Sequence, residues 1–129
     1  MSLKNHIHLF KNNHKQIITN WLSKKDVLTI IEKKEIDKKY FIKEYATGVI
    51  DYYIGVVEGR EVIGNCPTII KLLKYLKDKE VTTQELFIIC SGFKNAMLEY
   101  SYEINIYSYG IASEIEFIYE KNFAGVLQT

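Results

Sequence analysis

Residues Thr82 to Tyr100 read TTQELFIICSGFKNAMLEY, and the spacing within them decides the fold. Leu86, Ile89, Cys90, Phe93, Ala96, Met97 and Tyr100 recur at steps of three or four, which places all seven on one face of an α-helix. Thr82 followed three residues later by Glu85 is a capping-box pattern, so the helix also has a marked start. Phe87 and Ile88 widen the apolar surface, as expected of a central helix that meets neighbours on more than one side.

The stretches on either side repeat the same period. Ile7, Phe10, His14, Ile17, Ile18, Trp21 and Leu22 share a face of an expected helix over residues 5–23. Val27, Ile30 and Ile31 mark a shorter helix over 26–34. Asp37 is placed to cap a long one through Glu58, with Ile42, Tyr45, Ala46, Val49, Ile50, Tyr53 and Val57 inward. Gly48 and Gly55 interrupt that helix, and close approach of a neighbour would compensate for them. Gly59 and Gly64 bracket a loop. Pro67 suits the first turn of a helix over 68–79, with Ile69, Leu72, Leu73 and Leu76 inward and Lys71, Lys74, Lys77 and Lys79 on the wet side.

The stretch from Tyr102 to Ile111 alternates and is rich in β-branched and aromatic residues, which suits a strand. No second convincing strand exists to pair with it, so helix after a break near Glu103 is the preferred reading. Ile104, Tyr107, Ile111, Ile115 and Ile118 then form a stripe running towards Val126, with Tyr109, Phe117 and Phe123 on other sides. That helix has no stop signal before Thr129, which reads as a helix cut from a longer chain. The expectation is an all-α bundle of five or six helices, with residues 1–129 as one domain.

Composition narrows the function. An apolar fraction of 47% is that of a globular domain, and 17 basic residues stand against 16 acidic ones. Near-neutral charge with Arg60 as the only arginine argues against nucleic acid as a partner. No apolar run is long enough to span a membrane, and no secretory signal opens the chain, so the cytoplasm is the expected location. Cys66 and Cys90 suit buried free thiols better than a secreted disulfide scaffold.

Few residues carry chemistry. His6, His8 and His14 lack a ligand-spaced Cys, Asp or Glu beside them, so no metal is expected. No histidine follows His14. That leaves Tyr53, Cys90 and Met97 as formal haem ligands, with core packing the simpler role and no cofactor expected. Tyr53, Phe87, Cys90, Phe93 and Met97 are candidates to line a small apolar pocket. Cys90 has no base or cation on its face to activate it. Tyr100, Tyr102, Tyr107 and Tyr109 suit a half-buried interface and suit ordinary packing equally. Phosphate loops, nucleophile elbows and zinc spacings are absent, so this segment is not expected to be an enzyme.

Two runs carry a family likeness. Ile17-Ile18-Thr19-Asn20-Trp21 ends the first helix, and Glu85-Leu86-Phe87-Ile88-Ile89-Cys90-Ser91-Gly92-Phe93-Lys94-Asn95-Ala96-Met97 opens the late one. Together they resemble the helical N-terminal sensory domains of bacterial signalling proteins. The nearest groups are the haem-free, globin-like N-terminal domains of stressosome regulators and related input domains ahead of histidine kinases. Lys94 stands where that pattern more commonly has arginine. The resemblance implies a cytoplasmic, non-catalytic module that forms homodimers and regulates a C-terminal effector in the same chain. Tyr109 and Phe117 are then the expected dimer contacts, because the stripe beside them is used by the domain's own core. The alternative is a free-standing small-molecule-binding or thiol-responsive protein using the apolar pocket around Cys90.

Overall fold

The computed structural model describes residues 2–124, and every regular element in that span is helical. A 3-10 turn, Leu3–His6, leads into α1 (Ile7–Asn12), α2 (His14–Leu22) and α3 (Lys25–Lys33). Helix α4 covers residues 38–58 continuously, with a π-helical segment, Ile42–Ala46, between Lys38–Phe41 and Thr47–Glu58. Then come α5 (Pro67–Asp78), α6 (Thr83–Glu103) and α7 (Tyr109–Asn122). Thus the all-α expectation holds, with seven helices among the described residues rather than five or six.

The additional helix comes from a break at Asn13. Its backbone turns to φ −124°, ψ 28°, and its side-chain Nδ2 donates to the Leu9 carbonyl at 3.0 Å. An asparagine that bonds its own preceding turn competes with the helix ladder, and here it divides the first helix in two. The inward face is unaffected: Ile7, Phe10, Ile17, Ile18, Trp21 and Leu22 are all buried.

α6 is the centre of the bundle and packs against α2, α3 and α7. The capping box forms at its start, with Glu85 N–H donating to Thr82 Oγ1 at 3.1 Å and Thr82 N–H donating to Glu85 Oε1 at 2.9 Å. All seven residues of its expected inner face are buried. Gly92 lets the neighbours come close, since a Cβ there would lie 2.8 Å from Val27 Cγ2 and 3.2 Å from Trp21 Cδ1. The aromatic core follows from that contact. Phe93 packs edge-on to Trp21 (5.2 Å between centroids) and Tyr53 (5.6 Å), and Trp21 in turn meets Phe41 at 5.7 Å.

α4 lies against α1, α2, α5 and α7. Asp37 caps it, accepting from Tyr40 N–H at 3.1 Å. The close approach expected at Gly48 is present: a Cβ there would lie 2.7 Å from Thr68 Oγ1 on α5. Within the π segment one extra residue enters the turn, so Phe41 takes the core position expected of Ile42, which is only half-buried; further along, Ile54 joins the stripe one turn after Ile50, and Val57 is half-buried. Gly59 ends α4 in the left-handed conformation at φ 82°.

The stretch after α6 breaks where expected but resumes later. Asn105 takes φ 60°, residues 105–108 form a loop, and Ser108 Oγ accepts from Ile111 N–H at 3.1 Å to start α7. Ile104 and Tyr107 therefore lie outside the last helix, and only Ile111 and Ile115 of the stripe are fully buried. Phe123, expected off the core, is completely buried against Phe93 and Tyr119. The expected run of this helix to Val126 lies outside the described residues.

Candidate functional site

The residues expected around Cys90 separate into two groups. Tyr53, Cys90, Phe93 and Met97 come together in the core, and the Tyr53 hydroxyl donates to the Ile115 carbonyl at 2.8 Å. Phe87 does not join them. It is 55% exposed, because it sits one residue around from the buried Leu86 on the outer side of α6. The four core residues pack among aromatic rings: Phe93 is flanked by Trp21, Tyr53 and Phe123.

Neither cysteine is primed for chemistry. Both are free and buried. Burial pushes the Cys90 thiol up to about 12 and raises that of Cys66, so both stay protonated at neutral pH. Burial also raises the Tyr53 and Tyr119 phenols, and the Tyr119 hydroxyl has no hydrogen-bond partner among the described residues. Among the described residues no three His, Cys, Asp or Glu side chains gather as a metal site would require. Lys94 is engaged locally, with Nζ 4.0 Å from Glu116 Oε1 and over the Tyr119 ring at 5.7 Å.

α7 carries the two residues expected at an interface. Tyr109 is 89% exposed and Phe117 54%, two helical turns apart on the side away from Ile111 and Ile115. Phe117 borders a recess of about 320 Å³ that also takes in Val56 and Val57 of α4 and Ile118. Lys121 Nζ lies 5.6 Å from the Phe117 ring centroid. Tyr102 in the last turn of α6 and Tyr107 in the loop that follows stack at 4.1 Å and 16°, and both keep a large exposed surface.

Features the sequence reading did not isolate lie on the other side. A shallow groove of about 570 Å³ runs between α3 and the start of α6, floored by Ile30 and Ile88 and edged by Lys25, Lys33 and Glu85. Glu85 is held down to about 2, first by the Thr82 N–H bond and then by Lys33, against the opposing effect of its own burial. Lys33, the last residue of α3, and Lys34 just beyond it reach its two oxygens at 3.3 and 3.4 Å.

No helix among the described residues is long and apolar enough to cross a membrane. Comparison with known proteins returns no match: no family model, no curated protein and no solved structure is significantly similar to this chain. Fold and surface together define an all-helical domain with a buried aromatic core and two exposed aromatics, Tyr109 and Phe117, on α7.

Proposed function

We propose that this domain is a non-catalytic, cytoplasmic sensory and dimerisation module, pairing two copies through α7 and regulating an effector, such as a histidine kinase, in the same chain. The observation that carries this reading is the exposure of Tyr109 and Phe117 on α7 beside the apolar recess at Val56 and Val57. Large aromatics held out of a core that is otherwise well filled mark a contact surface. A helix paired across a two-fold axis is also a bistable element through which packing changes can be passed on. The buried, protonated thiols support a structural role over a catalytic or thiol-responsive one.

Cross-linking tests the surface. Cys66 and Cys90 are buried, so a single cysteine introduced by Ser113→Cys, on the exposed face of α7 between Tyr109 and Phe117, is the accessible thiol. A short bis-maleimide should join two such chains, while Lys71→Cys, on the wet side of α5, should stay uncoupled at the same concentration. Equal coupling at the two positions, or none at Ser113→Cys, would contradict the reading.

A further inference from the structure

Helix α4 carries one residue too many between its two α-helical parts. In the π turn, Ile42–Ala46, the Thr47 backbone N–H reaches back five residues to the Ile42 carbonyl, which also accepts the Thr47 hydroxyl at 3.0 Å. Single π turns inside α-helices are rare and are frequent at functional sites. The extra residue rotates everything before the turn by about 100° relative to an unbroken helix, the angle of one residue. That rotation decides what three consecutive apolar residues touch. Phe41 is completely buried and edge-on to Trp21 at 5.7 Å. Tyr40, 46% exposed, lies against Tyr45 at 6.0 Å and Tyr75 of α5 at 5.5 Å. Ile42 is half-buried.

A second arrangement satisfies the same neighbours. When the part before the turn rotates back by one residue, α4 becomes α-helical throughout and each side chain takes the place of the one before it. Ile42 then faces Trp21, Phe41 lies on Tyr45 and Tyr75, and Tyr40 moves to the exposed position now held by Lys39. Both registers put an apolar group against Trp21 and an aromatic ring against the two tyrosines. The Thr47 N–H exchanges the Ile42 carbonyl for that of Lys43, so no backbone bond is lost.

We propose that α4 is a two-register switch, in which the π register with Phe41 on Trp21 exchanges with an all-α register that hands this contact to Ile42 and releases Tyr40 to solvent. Discrete repacking of this kind, rather than gradual deformation, is how packed helices change state. Trp21 also meets Phe93 of α6, so the exchange links the outer face at Tyr40 and Tyr75 to the partner of the central helix. A molecule that contacts Tyr40 finds it in different places in the two registers, and so shifts their populations. The switch does not depend on pairing through α7.

Helix register shifts run over microseconds to milliseconds, which nitrogen-15 relaxation dispersion on the full chain reads. Exchange should appear at residues 40–47 and at the Trp21 indole N–H, with a minor state of about 1% or more. Deleting Glu44 removes the extra residue and leaves Phe41 in its present place, so the fold should persist and the exchange should vanish. Phe41→Tyr/Ile42→Phe offers the wild-type pair of rings to Tyr75 and Trp21 only in the all-α register, and buries a phenol hydroxyl beside Trp21 in the π register. This double variant should therefore reverse the populations. Couplings through the hydrogen bond report that reversal directly: Thr47 N–H should couple to the carbonyl of residue 42 in the wild type and to that of Lys43 in the variant. Flat dispersion at these sites, exchange that survives deletion of Glu44, either variant failing to fold, or a double variant that keeps Thr47 on residue 42 would each overturn the proposal.

Discussion

The Trp21 indole N–H donates to the main-chain carbonyl of Ile89 at 2.8 Å, out of water, and so ties α2 to the middle of α6. A buried hydrogen bond between two helices fixes their register as well as adding stability, because either group left alone would be costly. Gly92 sits one turn further along α6 and leaves room for the same indole. The packing around the central helix depends on both.

Trp21→Phe removes the donor and part of the ring while keeping an aromatic in place. It should lower stability by at least about 1–3 kcal/mol, read from chemical denaturation. A loss below about 0.5 kcal/mol, the range of ordinary surface changes, would mean that the bond does not form.

Gly92→Ala sets two effects against each other. Alanine favours a helix interior by about 1 kcal/mol over glycine. The added Cβ would lie 2.8 Å from Val27 Cγ2, however, and overpacking a filled core costs about 1–3 kcal/mol. The clash is with a stiff β-branched side chain, so we expect net destabilisation. Combining it with Val27→Ala should cost less than the sum of the two single changes, and strict additivity in the double-mutant cycle would argue against the contact.

Phe93→Ala removes the ring shared by Trp21, Tyr53 and Phe123, and should cost about 3–5 kcal/mol. An urea midpoint close to wild type would show that the core is not organised around this residue.

Glu85 should make stability depend on acid pH. Its carboxyl is held down to about 2 in the folded chain, below its ordinary value of 4.5. A depressed folded-state value means that the stabilisation is complete above the unfolded value and is lost as pH falls from there through the folded one. Stability should therefore decline between about pH 5 and pH 2. Glu85→Gln should be less stable at neutral pH and show a flatter slope across that window, whereas parallel curves for the two proteins would exclude Glu85 as the titrating group.

The central helix was legible because its signals agree: a capping box, a helical stripe and the absence of proline all point to one element. Three features were not. The break at Asn13 turns on whether an asparagine bonds its own backbone or faces water, which apolar spacing does not encode. The π segment shifts α4 by one residue, and Ile42 and Phe41 are equally apolar, so either register reads well in sequence. Phe87 and Phe123 show the third limit. Both are phenylalanines flanking an apolar stripe, yet Phe87 is outside and Phe123 inside, because the position of the neighbouring helix decides the width of a buried face.

Sedimentation equilibrium of the whole chain at micromolar concentration tests the central claim, pairing through α7, most directly. The account predicts a dimer for the wild type and a shift to monomer for Phe117→Glu. That variant should keep its helical circular dichroism, because a residue 54% exposed contributes little to the core. A wild-type monomer at high concentration, or a Phe117→Glu protein that remains dimeric, would contradict it.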